Sequence, residues 1–543
     1  KMKKCFLIVA ALLCLSSCAH HISEAKILVA GKSLQSQLTD SDAVYVVRDS
    51  FDLQGSEVSI PSDCILEFAG GNIRNGLVKF NNTKIQGYAS FRQCSYSGTI
   101  SNDEVELAWF DFADGGSKTW RTLTYNTYES ATLQQIIDCC KNGACLNVDK
   151  IYGIKKPVTV TKRLYMKGAD RSEGIYADRI VQNMEYGFMN CDGLTSLFIV
   201  EEGGDLSVQG LSFVGYTNLY MGGQLWEKCY SNGVALASPV QICGIDCRSG
   251  GRISEVHDSS FVAFTYGIRC DGGSLGYIRN SYFSICRFGF WARNTSNFEC
   301  RGCRFNSNEL NFHFYEKNLN YVGDKSNWEP LKETDAEQIA RMGGGLYLEN
   351  CEDVEINNSR FEFNFIQAII NGSAKDVTIH NCIMDTATLC HVAVINLGND
   401  SVRSRARAID NFTLSSCTLA RGARCDIANQ PSVPGFGIFY LADIGDRGAS
   451  ITFKNIIVSD DMEVDKSIDA HYEDVVFDIF NTSSTNPCVL NIEGNSFYSS
   501  EATRIFNIVE GSVGSFRVND YGNDYGDKTL KSGASSVLTL VEG

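Results

Sequence analysis

Five stretches in the middle of the chain share one four-residue pattern: Asp258-Ser-Ser-Phe261, Asn280-Ser-Tyr-Phe283, Gly302-Cys-Arg-Phe305, Asn358-Ser-Arg-Phe361 and Asn381-Cys-Ile-Met384. Their last residues are separated by 22, 22, 56 and 23 positions. A period near 22, with strand-like alternation and no helical stripe, constrains the chain to a β-solenoid, in which each coil buries its apolar face only by stacking on its neighbours. Alternating runs such as Phe298-Glu-Cys-Arg301, Val354-Glu-Ile-Asn357 and Val377-Thr-Ile-His380 supply the remaining strands. Leucine-rich repeats have a similar period, but no LxxLxL frame recurs. Position one is Asp, Asn or Gly, the types that tolerate a left-handed backbone in a tight turn, so Asn280, Asn358 and Asn381 belong to a turn ladder. Position two is always Ser or Cys, which makes Cys303 and Cys382 small packing residues. Position four predicts an interior column of Phe261, Phe283, Phe305, Phe361 and Met384.

The first eighteen residues read as an export signal: Lys3 and Lys4 precede an apolar run from Phe6 to Leu15 that is too short to span a bilayer. Leu15-Ser16-Ser17-Cys18 resembles a bacterial lipobox, which implies a lipid anchor on Cys18; a plain cleaved signal is the alternative. The anchor implies placement at the outer membrane or cell envelope, facing the periplasm or the surface. The expected organisation is a signal peptide over 1–17, a β-rich segment over 18–104, a β-helix over 105–520 with an insert at 316–343, and a tail over 521–543. Within that tail Tyr521 to Gly526 reads as a frayed end.

A formal charge of −16 and a pI near 5 exclude nucleic acid as a partner, because phosphate binding needs a dense basic face. One basic cluster, Arg403, Arg405, Arg407, Arg421 and Arg424, is either a set of exposed loop charges or a site for anionic sugars. Of 22 cysteines, Cys5, Cys14 and Cys18 fall in the leader, and the remaining 19 cannot all pair. Cys300-Arg-Gly-Cys303 stands alone, without the second CxxC of a structural zinc site, so no metal and no cofactor is expected. Neither GxSxG nor a P-loop occurs, which lowers serine esterase and nucleotide chemistry.

The repeat, together with the stretch from Asp52 to Gly76, resembles the right-handed parallel β-helix superfamily that includes the pectate lyases, in a branch of the Bacteroides type. That resemblance implies an all-β fold over most of the chain, with the amphipathic segment Leu133, Ile136, Ile137 and Cys140 as a short N-terminal helix capping the solenoid. It also implies a polysaccharide ligand. Polygalacturonase-type elements reduce to an isolated Asp460-Asp461, and the pectate-lyase arginine signature and calcium aspartates are not recognisable.

Alternation places candidate site residues on the outer face of one strand per coil. Arg269, Trp291 and Tyr347 lie 14 residues before successive interior phenylalanines, and Asp271, Arg293 and Glu349 lie two residues further on. His313 and Tyr315 fall 22 residues after Trp291 and Arg293 and are expected to extend the two rows. An insert containing Trp328 begins just beyond them and either walls a groove or is a tolerated loop. A lyase would use Arg269 or Arg293 to neutralise a uronate, with His313 or Tyr315 as base. A hydrolase would use two carboxylates from among Asp271, Glu349 and Glu316. The third reading is a non-catalytic glycan-binding or cell-envelope scaffold, in which Arg269, Trp291, Tyr347 and Trp328 hold sugar by contact alone. His257, His380 and His391 form no metal trio, and the lipobox disfavours a tailspike-like adhesin.

Overall fold

The computed structural model describes residues 25–168, 186–215, 242–308, 343–395, 409–420, 438–442, 449–459, 475–480, 488–498 and 504–542, save for short breaks within these ranges. The chain divides into two units. One comprises Lys1–Gly116 with Tyr128–Asp149, and the other Ser117–Thr127 with Lys150–Gly543. The helix and the strand that follows it thus belong with the N-terminal unit, on the far side of the expected boundary at residue 104.

The first unit is itself a small parallel solenoid. Tyr45, Leu66 and Ile85 pair in register, as do Phe51, Ile73, Phe91 and Phe110. Its coils are 18 to 22 residues long, and it buries its own aromatic column, with Phe91 stacked on Phe110 at 5.5 Å. The helix Ser130–Cys139 buries Leu133, Ile136 and Ile137 in this unit. Its Gln135 Oε1 accepts a hydrogen bond from the Tyr96 backbone N–H at 3.0 Å. A side chain therefore satisfies a donor on a strand edge that would otherwise invite another strand.

A coil of the second unit is built from three strands, as in Tyr266–Asp271, Ser274–Arg279 and Tyr282–Ser284. All strand pairing between coils is parallel among the described residues, and the fold is a parallel β-helix. The interior column holds Phe213, Phe261, Phe283, Phe305, Phe361, Met384, Leu419, Val458 and Phe497 in register. Its rings stack face to face at 4.7 to 5.2 Å from Phe213 to Phe361. Gly267 and Gly289 sit opposite; a Cβ there would come within 3.0 Å of Phe283. Where the column shrinks to Met384 and Leu419, the glycine position is filled by Gln367 and His391, both buried.

Position one of the pattern is left-handed at Asp258, Asn280, Gly302, Asn358 and Asn381, with φ between 47° and 64°. The same turn recurs at Gly210, Ser416, Asn455, Gly494 and Gly522. Position two closes the turn: the hydroxyls of Ser259, Ser281 and Ser359 donate to the carbonyl two residues back at 2.9 to 3.0 Å, and the Cys303 and Cys382 thiols do so at 3.6 and 3.3 Å. A second ladder, inside another corner, was not legible: Asn308 accepts from the Cys286 N–H, and Asn364 from the Asn308 N–H.

The expectation of a frayed tail is corrected. Gly522-Asn-Asp-Tyr525 repeats the pattern: Asn523 accepts from the Asn495 N–H at 2.8 Å, and Tyr525 stacks on Phe497 at 5.4 Å. Leu538–Glu542 then pairs with Phe516–Tyr521, so the final residues add strands rather than leave the body.

Candidate functional site

From Ile268 and Phe290 onward the first strand alternates: Ile268, Cys270, Phe290 and Ala292 are wholly buried inside, while Arg269, Asp271 and Arg293 are partly exposed outside. In-register pairing builds two outward rows. One runs Asp246, Arg269, Trp291, Tyr347, Ile369, and the other Asp271, Arg293, Glu349, Asn371. Neighbouring rungs are about 4.8 Å apart. Six expected residues, Arg269, Asp271, Trp291, Arg293, Tyr347 and Glu349, are thus brought together.

His313, Tyr315 and Trp328 lie outside the described residues, as do Cys18 and the arginines from 403 to 424. The rung expected for His313 and Tyr315 belongs to Tyr347 and Glu349, which pair directly with Trp291 and Arg293. The extra length between Asn306 and Gly344 defeats a count of 22, because the next first-sheet strand starts only at Gly344.

An alternating charge lattice runs along the rungs. Asp271 receives both Arg293 Nε at 2.8 Å and a terminal Arg293 nitrogen at 2.5 Å, and Arg269 at 3.2 Å. Arg269 also reaches Asp246 at 3.5 Å, an ion pair longer than a hydrogen bond, and Arg248 donates to Asp246 at 3.1 Å and to Glu201 at 3.2 Å. Alternation was sufficient to find Asp246, which stands 23 residues before Arg269.

The aromatic platform expected of Trp291 and Tyr347 is corrected. Their rings stack on one another at 5.6 Å and 7° between planes, and Arg269 and Arg293 lie 5.4 and 5.2 Å from the Trp291 ring. Their faces are turned along the solenoid toward neighbouring rungs, and each residue is only 7% exposed. Neither offers a face to a sugar; both stiffen the lattice, by about 0.5–1.5 kcal/mol for such a ring pair beyond its burial.

Glu349 differs from Asp271. Burial pushes its carboxyl pKa up, with the Asp271 charge adding to that, against the opposing hydrogen bond from Tyr347 and the charge of Arg293. Tyr347 donates to Glu349 Oε2 at 2.9 Å and accepts from Asn371 Nδ2 at 2.7 Å. Burial likewise raises the Tyr347 phenol. The arrangement is a protonatable carboxyl two rungs from an arginine-bound carboxylate. Among the described residues no group of three His, Cys, Asp or Glu side chains could hold a metal ion.

Chain length also marks this face. Long connections leave both edges of the first sheet: Val214 to Cys243, Asn306 to Gly344 and Ala420 to Phe439 on one side, and Ile395 to Asp410 on the other. The turn from second to third sheet stays short, as at His257 to Ser260 and Arg279 to Tyr282.

Comparison of the sequence with known protein families and with curated proteins finds no match. Among solved structures, DFA-IIIase from Arthrobacter chlorophenolicus A6 without its lid is similar over 75% of this chain and 89% of its own, at 10% identity and a TM-score of 0.43. The catalytic domain of GH87 alpha-1,3-glucanase D1068A, in complex with tetrasaccharides, is similar over 76% and 66%, at 10% identity and 0.38. Endo-xylogalacturonan hydrolase from Aspergillus tubingensis is similar over 76% and 95%, at 11% identity and 0.35. None reaches a TM-score of 0.5, and what those proteins bind or cut stays theirs.

Proposed function

We propose that this β-helix is carbohydrate-active and cleaves a glycan by hydrolysis on the outer face of its first sheet, with Glu349 as the proton donor. The observation that carries the reading is Glu349 itself: a partly exposed rung holds a carboxyl whose pKa burial raises against the opposing hydrogen bond from Tyr347, the condition for a group that is protonated when it meets a glycosidic oxygen. Asp271 stands two rungs away, roughly 10 Å by strand spacing, close to the separation at which a second carboxylate activates water instead of attacking carbon. Arginine donors take three of its roughly four lone-pair sites, which leaves Oδ1 able to accept from a water. Elimination is the weaker reading, because both guanidiniums that would neutralise a uronate already face Asp271.

The test is incubation of the purified protein with a panel of neutral and acidic polysaccharides, scoring reducing ends and ultraviolet-absorbing unsaturated products. New reducing ends without unsaturated product are expected. Unsaturated product would favour the lyase, and binding without either product would favour the glycan-binding scaffold. We propose further that the chain is tethered through lipid on Cys18, and a fatty-acid label retained by wild type and lost in Cys18→Ala is the expected outcome.

A further inference from the structure

Tyr347 shares a strand with Glu349 and Asn371 pairs with Glu349 on the next coil, and both side chains are buried while Glu349 is partly exposed, so what they do passes through Glu349. A phenol has one proton to give, and among the described residues the acceptor for Tyr347 is Glu349 Oε2 at 2.9 Å. The Asn371 amide donates into the same phenol oxygen at 2.7 Å. A donor arriving there orients the phenol proton away from Asn371, toward Glu349. Oε2 therefore accepts, and a proton carried by Glu349 has to reside on the other oxygen.

From this we infer that Asn371 and Tyr347 are positioning residues, a two-step relay that fixes the acidic proton of Glu349 on Oε1. The inference rests on the reading of Glu349 as the proton donor, but the relay has a signature of its own. Asn371 follows Glu349 by 22 residues and pairs with it in register, so the solenoid delivers the relay without any loop. Both partners are buried, at 7% and 3% exposure, so water does not compete for the phenol as it would at the surface.

Asn371→Asp is the decisive variant, because an aspartate accepts the phenol proton and reverses the relay. Asn371→Leu removes the amide donor, and Tyr347→Phe removes the phenol. Infrared difference titration of the full chain, with Glu349→Gln subtracted to isolate the one carboxyl, reads the relay without any need for turnover. The expected result is an upward displacement of the Glu349 midpoint in Tyr347→Phe and Asn371→Asp, a fall of at least tenfold in kcat with KM little changed, and a matching shift of the basic limb of the pH profile.

An unmoved midpoint in both variants overturns the relay, even where glycan is cleaved. A displaced midpoint in a protein that cleaves no glycan overturns the hydrolase and leaves the relay standing. A fall in kcat with an unshifted pH limb marks a merely structural role and also overturns it. If Asn371→Asp fails to fold, Asn371→Leu takes its place in the titration, since it retains the volume but not the donor.

Discussion

One sheet of this solenoid carries two different surfaces on the same backbone. From Asp246 to Glu349 its outward rows are Asp, Arg, Trp and Tyr beside Asp, Arg and Glu; from Ile369 onward they are Ile369, Ala393, Tyr440 and a buried Asp478 beside Ile395, Ala442 and Phe480. In the first half the ion pairs of Arg269, Asp271 and Arg293, with Glu349 beside them, stay at intermediate exposure over Trp291 and Tyr347, which belong to one buried cluster that runs on through the second half. There the rows are buried as deeply as an interior and apolar but for Asp478. Register and alternation are identical in the two halves. Position in the coil therefore decides where a side chain points, and only its chemistry decides whether the row stabilises the body or acts on a ligand. Asn371 marks the border.

The comparison breaks if the apolar half proves dispensable. Phe480→Ala is expected to cost about 3–5 kcal/mol of stability, as for a buried aromatic, while glycan cleavage below the melting temperature stays intact. Urea unfolding and reducing-end assays read the two effects separately; an unchanged urea midpoint would show that the outer face does not contribute as a core does.

Next in size is an acid effect centred on His391, which faces the interior in the apolar half. Among the described residues neither ring nitrogen has a partner of hydrogen-bond geometry, and burial pushes its pKa down to about 4 although the Asp385 charge and the Ala420 carbonyl favour the protonated ring. Between pH 6.5 and 4 the unfolded chain binds a proton that the folded chain refuses. Stability is therefore full above pH 6.5, falls by about 3 kcal/mol as the pH drops to 4, and levels off below. His391→Leu should flatten that part of the stability profile; a slope unchanged by the substitution would assign it to other groups.

In the polar half, Arg293→Gln should destabilise by only about 1 kcal/mol, since its side chain is 35% exposed and water screens the pair. It should nevertheless push the Glu349 carboxyl further up, because Arg293 favours the charged form. A basic limb that moves downward in this variant would contradict the lattice. Smallest of all, Cys382→Ser should cost less than about 1 kcal/mol, because Ser359 makes the same turn-closing bond one coil earlier. A large loss of thermal stability there would mean that the thiol does more than pack.

How far the sequence could be read follows from the same physics. Coils at 22-residue steps announce themselves through Asn280, Phe283 and their equivalents. Those with long connections, at Gly210, Ser416, Asn455 and Gly494, keep the turn but lose the count. The last coil was missed because Gly522 and Tyr525 replace the asparagine and phenylalanine that made the pattern conspicuous. The N-terminal coils were missed because they are shorter and use another column. In the site, alternation alone located Arg269, Asp271, Arg293 and Glu349. It could not tell that the Trp291 and Tyr347 rings face along the axis, since ring orientation depends on the neighbours that stack on them. Nor could it place the rung after Trp291, because the length of an insert says nothing about where the strand resumes.

The most direct measurement of the central claim compares two leaving groups in Glu349→Gln. If Glu349 supplies the proton, cleavage of the natural glycan should fall by about 10²–10⁴-fold, while an aryl glycoside with an acidic phenol, which departs unprotonated, should be cut at nearly the wild-type rate. Equal losses on both substrates, or no loss on either, would contradict it.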